Sequence, residues 1–187
     1  MGSIRVFNPV KLFVGVLVAD GNLIAEVESQ LSSTHGPVDY RSPALPFSFT
    51  DYYRNETGDQ ILRIFFSFEN LIDATQLPEI KRRTNALEET FAAGSTTVKR
   101  PVNLDPGYIE HAKVVLASTK NFYHRMYLGR GIFGEITMHF RNGGYEFFPW
   151  TYPDYKSADY QSFFLKLRAT YRQQLRSICL LRKPEES

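Results

Sequence analysis

Apolar positions along the chain fall into runs of two periods. Lys11 to Ala19 (KLFVGVLVA) is nearly continuous, and its length and Val content predict a buried strand. Asp20-Gly21-Asn22 stops it and supplies a helix cap. Leu23, Ile24, Val27 and Leu31 follow at helical spacing, so a helix is predicted to about Ser33, ended by His35-Gly36-Pro37. Val38 to Arg41 alternates as a short edge strand, and Pro43 and Pro46 keep the next stretch out of a central strand. Phe47 to Tyr53 is an aromatic loop. Gln60 to Glu69 (QILRIFFSFE) is a second strong strand. Leu77 to Ala93 is a helix with Pro78 in its first turn and Gly94 at its exit.

That opening of strand, helix, strand, strand, helix is the start of a ferredoxin-like split unit. A strand near Thr97 to Leu104 would complete it. Hairpins are expected next: strands at Ala112–Ser118, Tyr123–Leu128 and Phe133–Arg141, then the Asn142-Gly143-Gly144 turn and a return through Tyr145 to Phe148. In Phe133–Arg141, Glu135, Thr137, His139 and Arg141 read as one face. A final helix spans about Ser157 to Leu181, with Tyr160, Phe164, Leu167, Tyr171, Leu175 and Ile178 as its apolar stripe. The fold class is therefore α+β, a mainly antiparallel sheet carrying two to three helices. One domain over residues 1–187 is expected, with its ordered core at about 9–181.

Composition narrows the function. Apolar residues make up 43% of the 187 and aromatics 14%, enough for a sizeable core. Net charge is +2, which disfavours a dedicated DNA-binding domain. The single cysteine, Cys179, sits on an apolar helix face and reads as a buried thiol. No apolar run reaches the ~20 residues of a membrane span, and the N-terminus lacks a secretory core, so a cytoplasmic protein without a membrane partner is expected.

Most candidate chemistry lies between Val102 and Tyr155. Gly129-Arg130-Gly131-Ile132-Phe133-Gly134 matches G-x-G-x-x-G, but it lies between strands, which reads as a hairpin loop rather than a dinucleotide site. Its amides and Arg130 remain a weaker anion-binding alternative. No P-loop, no zinc spacing and no nucleophile elbow is present. Asn103-Leu104-Asp105-Pro106-Gly107-Tyr108 reads as a turn, with Asn103 and Asp105 either satisfying local amides or orienting a ligand hydroxyl. Lys81-Arg82-Arg83 reads as a solvated helix face. Trp150 to Tyr155 is an aromatic loop that reads equally as a packing plug against the sheet or as one wall of a pocket with Asp154 as a polar anchor, for which Phe47–Tyr53, with Asp51, is the natural opposite wall.

The segments PVKLFVGVLVAD, PFSFTDYY, VNLDPGYIEHAKVVLASTKNFYHRMYLGRGIFGEITMHF and FFPWTYPDY together resemble a bacterial family, domain of unknown function 4416, over about Pro9 to Gln174. Some of its members are labelled GTP-binding protein. The resemblance implies no catalytic residues.

The leading expectation is a sheet-surface pocket for a phosphorylated small molecule or nucleotide. Lys120, Arg125 and Arg130 would hold phosphate, Tyr108 or Tyr127 would stack on a ring, and Asp51, Asp105, Glu135 or Asp154 would orient a hydroxyl or metal. Tyr53 and Asn103 complete the candidate set. No catalytic residue, cofactor or dedicated metal site is assigned. The alternative is a non-enzymatic RNA-associated or protein-interaction module using Arg168, Arg172 and Arg176 of the last helix.

Overall fold

The computed structural model describes residues 7–48, 57 and 61–181. Its elements are β1 (Val10–Val18), α1 (Ile24–His35), β2 (Val38–Arg41), β3 (Leu45–Pro46), β4 (Leu62–Ile72), α2 (Leu77–Gly94), β5 (Val102–Ile109), β6 (Lys113–Ser118), β7 (Met126–Gly129), β8 (Ile132–Arg141), β9 (Gly144–Phe147) and α3 (Ala158–Leu181). Short 3-10 turns lead into α1, α2 and α3. The Asp20 side chain accepts from Asn22 N at 2.9 Å and caps the first of them.

One antiparallel sheet runs in the order β2-β4-β1-β5-β6-β8-β7, with β3 added to β4 and β9 to β8. The order β2-β4-β1-β5 is that of a ferredoxin-like unit, so the opening βαββα pattern is completed as expected. All nine residues of β1 are buried. Leu12, Val14, Val16 and Val18 pack with Val27 and Leu31 of α1 and Ile80 of α2. Phe13 packs on the other face, edge-on to Phe164 of α3 with ring centroids 5.1 Å apart. Burial from both sides explains why β1 reads as a continuous apolar run. Tyr160, Phe164, Leu167, Tyr171 and Leu175 form the expected stripe of α3, joined by Phe163.

Three local readings are corrected. The fifth strand is Val102–Ile109, not Thr97–Leu104, and Asp105-Pro106-Gly107 lies inside it rather than in a turn. Eight consecutive pairings with β1, from Lys11↔Ile109 to Val18↔Val102, override the local turn preference. Gly107 is required there, because a Cβ would come within 2.4 Å of the Val115 carbonyl oxygen. Next, the strand expected at Tyr123–Leu128 is Met126–Gly129, because a turn in which Arg125 N donates to Phe122 O precedes it. Finally, a bulge at Thr137, between the pairs Val115↔Ile136 and Val114↔Met138, breaks the alternation of β8. Met138 thereby joins the α3 cluster on the side of Glu135.

The two hairpin turns behave as expected. Gly129, Arg130 and Gly131 have φ of 102°, 56° and 78°, and Asn142 and Gly143 have φ of 51° and 86°. Among the described residues no helix is long and apolar enough to cross a membrane.

Candidate functional site

β5 follows β1 along its whole length but pairs with β6 only at Gly107, Tyr108 and Ile109. Toward Leu104 the two strands splay apart. Side chains of α2 replace the missing strand: Lys81 Nζ donates to Leu104 O at 2.6 Å, and Glu88 Oε1 accepts from Leu104 N at 2.8 Å. Lys81 is therefore a buried structural cation rather than part of a solvated face, whereas Arg82 and Arg83 are exposed and pair with Glu79. On the α3 side of this splay lies a cleft of about 440 Å³.

Arg63 of β4 forms one wall. It is 4% exposed, and a buried guanidinium needs partners to offset lost hydration. Its Nη1 lies 3.3 Å from Asp105 Oδ2 and its Nη2 lies 3.5 Å from Asp154 Oδ2. Its Nε is buried without a hydrogen-bond partner. The rings of Phe47 and Phe65 flank it at 5.3 and 5.5 Å. Burial alone would lower its pKa, but Asp105, Tyr155 and Asp154 together raise it above the ordinary arginine value. Burial pushes the Asp154 carboxyl up, with Arg63 opposing. Asp105 is the more open carboxylate, held by Asn103 Nδ2 at 2.9 Å and faced by Lys81 Nζ at 3.9 Å.

Arg125 organises the opposite wall. Nε donates to Glu135 Oε2 at 2.7 Å, Nη1 to Ser118 Oγ at 2.8 Å and Lys120 O at 3.0 Å, and Nη2 to Tyr152 Oη at 2.9 Å. Its Cζ stands 4.7 Å from the Phe122 ring centroid. Glu135, also buried, takes Thr137 Oγ1 and His124 Nε2, each at 3.2 Å. Arg125 thus ties β6, β8 and the Trp150–Tyr155 loop together, and its donors are largely committed. Burial raises the Tyr152 pKa, so the phenol stays neutral at ordinary pH.

A family model matches residues 8–171, most of the chain. The chain belongs to the DUF4416 family, a domain of unknown function. No curated protein and no solved structure matches it.

Within this DUF4416 chain the cleft gathers five of the residues singled out in the sequence: Asp105, Lys120, Arg125, Glu135 and Asp154. Asn103 stands behind them against Asp105. Phe47 and Tyr152 face the same cavity; of the first aromatic stretch, only residues 47 and 48 are among the described residues. Asp51 and Tyr53, and the side chain of Cys179, lie outside the described residues. Three expected residues stand elsewhere. Tyr108 packs in the cluster with Leu77 of α2, on the opposite face of the sheet. Arg130 reaches across to Glu79 of α2. Tyr127, 63% exposed, lies at the sheet edge rather than in the cleft.

Arg63, Ser118 and Phe122 were missed by sequence reasoning. For Arg63 a signal existed: a lone cation within the apolar run ILRIFFSF, in phase with Phe65. On α3, Arg168 donates to His111 O at 2.9 Å and lies 3.5 Å from the Phe140 ring centroid, so it serves packing as well as charge. Among the described residues no three His, Cys, Asp or Glu side chains gather in a metal-holding group.

Proposed function

We propose that the cleft binds a phosphorylated small molecule, with a nucleotide as the best fit. The observation that carries this reading is Arg63: a buried guanidinium in the cleft wall, with Nε unpartnered and both carboxylate contacts long. A ligand oxyanion would complete its hydrogen bonding with a charge-assisted bond, stronger than a neutral one. Lys120 stands exposed on the rim and adds positive potential. Phe122 and Tyr152 offer ring faces for a base, and Asp105 offers an acceptor for a sugar hydroxyl. The volume of about 440 Å³ suits one small ligand.

Thermal denaturation with a panel of nucleoside mono- and triphosphates and sugar phosphates tests the reading. A true ligand at roughly a hundredfold excess over its Kd raises Tm by about 5–10 °C for a chain of this size. Lys120→Ala, at an exposed position, should fold normally and lose much of that rise. No shift with any nucleotide or sugar phosphate would overturn the proposal.

A further inference from the structure

A second buried donor stands beside Arg63 in the cleft. Tyr155 is 2% exposed and lines the cavity, and its hydroxyl is buried without a hydrogen-bond partner. The core fixes its ring: Phe164 stacks on it with centroids 5.6 Å apart, and Phe65 meets it edge-on at 5.9 Å. The same Phe65 ring lies 5.5 Å from Arg63 Cζ, so one side chain positions both donors. Burial pushes the Tyr155 phenol well above its ordinary pKa, with Arg63 opposing and Asp154 and Asp105 adding to the rise. The phenol therefore stays protonated and can donate. A buried donor left unpaired costs free energy that a ligand oxygen can recover. Among the described lining residues, Arg63 Nε and Tyr155 Oη are the two buried polar atoms in that state.

Beyond this pair the cleft holds no surplus of positive charge. Its described lining carries three cations, Arg63, Lys120 and Arg125, against three carboxylates, Asp105, Glu135 and Asp154. Every nitrogen of the Arg125 guanidinium already donates within the protein. The two Nη atoms of Arg63 face Asp105 and Asp154. Lys81 is taken by the Leu104 carbonyl, and Arg130 and Lys113 pair with Glu79 and Glu110 outside the cleft. One phosphate at Arg63 Nε thus finds local donors, with Lys120 at the rim. Each further phosphate would bring negative charge into a partly buried space shared with three carboxylates, where repulsion is weakly screened.

We infer that the cleft takes a ligand with a single phosphate, held by Arg63 Nε and Tyr155 Oη, on an otherwise uncharged body, and that it discriminates against ligands carrying two or three phosphates. This rests on the reading of the cleft as a phosphate site and deepens it by fixing the number of phosphates. Nucleoside monophosphates and sugar monophosphates share this chemistry.

Calorimetric titration of the full chain tests it in two arms, each with and without magnesium. One arm compares the nucleoside, its monophosphate, diphosphate and triphosphate in the adenosine, guanosine, cytidine and uridine series. The other compares fructose 6-phosphate with fructose 1,6-bisphosphate. In whichever arm binds, the singly phosphorylated compound should be tighter by about tenfold or more than its unphosphorylated and multiply phosphorylated relatives. The arm that binds more tightly identifies the source of the phosphate. Tyr155→Phe removes only an unpaired hydroxyl, so the ligand-free Tm should stay at or above that of wild type, while affinity for the monophosphate falls by about fivefold or more. A smaller preference for one phosphate, or a preference for two or three, would overturn this inference while leaving the cleft reading intact. So would wild-type affinity in Tyr155→Phe, or a lowered ligand-free Tm, which would mean that the hydroxyl is already partnered within the protein. Binding of no phosphorylated probe would remove both readings.

Discussion

Gly15 and Arg63 share one space: Arg63 Nη1 lies 2.9 Å from where a Cβ on Gly15 would stand. Gly15 is paired with Asp105 on one side and Phe65 on the other. A strand residue without a side chain thus makes the seat for the guanidinium beside its carboxylate.

Gly15→Ala should crowd both Arg63 and the Phe65 ring, whose Cε1 would be 3.0 Å away. Overpacking of a closed core costs about 1–3 kcal/mol. Urea unfolding should show that loss, and ligand affinity should fall with it because Arg63 is displaced. A variant as stable as wild type would show that the guanidinium has room to move.

Lys81 and Glu88 hold the two backbone groups of Leu104 from the same helix, with their charged atoms 3.8 Å apart. Lys81→Met leaves the buried Leu104 carbonyl without its donor, while Glu88 keeps Arg100 at 2.8 Å, at a cost of about 1–3 kcal/mol. Glu88→Leu leaves the Leu104 amide without its acceptor, while Lys81 keeps Asp105 and the Leu104 carbonyl. The double variant should lose clearly less than the sum of the two, and a denaturant double-mutant cycle measures the coupling. Simple additivity would show that the two residues act independently.

Asp154 supplies a pH dependence. Burial holds its folded pKa above the usual carboxylate value, with Arg63 opposing. The folded chain therefore binds this proton more tightly than the unfolded chain. Its contribution to stability is full below about pH 3.9, the unfolded value, and declines as pH rises through the raised folded value. Asp154→Asn should remove that decline. Relative to wild type, the variant should gain stability between pH 4 and pH 7 in paired urea titrations. Glu88, also raised by burial, is common to both proteins and cancels. A relative loss over the same range would mean that the Arg63 contact outweighs burial.

The frame of the molecule was legible because its signals are long. The apolar run of β1, the strong strand ending at Glu69 and the stripe of α3 each state their burial over many residues. The candidate site was legible where it uses loop and turn chemistry, as at Asp154, Tyr152 and Arg125, and where a polar residue stands on a hairpin strand, as at Glu135. It was not legible where tertiary pairing overrides local preference. Asp105-Pro106-Gly107 has the composition of a turn, yet β1 offers it a full ladder. Lys81 has the composition of a surface residue, yet it faces a strand edge that lacks a neighbour. Tyr108, read with the site, faces α2 because β5 is a strand and its side chains alternate.

The splay between β5 and β6 leaves a seam in an otherwise continuous sheet. Three residue pairs cross it, whereas eight join β5 to β1, and two side chains of α2 cover the open edge of β5 at Leu104. The ferredoxin-like half is thus mechanically complete up to β5, and the hairpin half hangs on it. The cleft straddles that seam, with Arg63 and Asp105 on one half and Arg125 and Glu135 on the other.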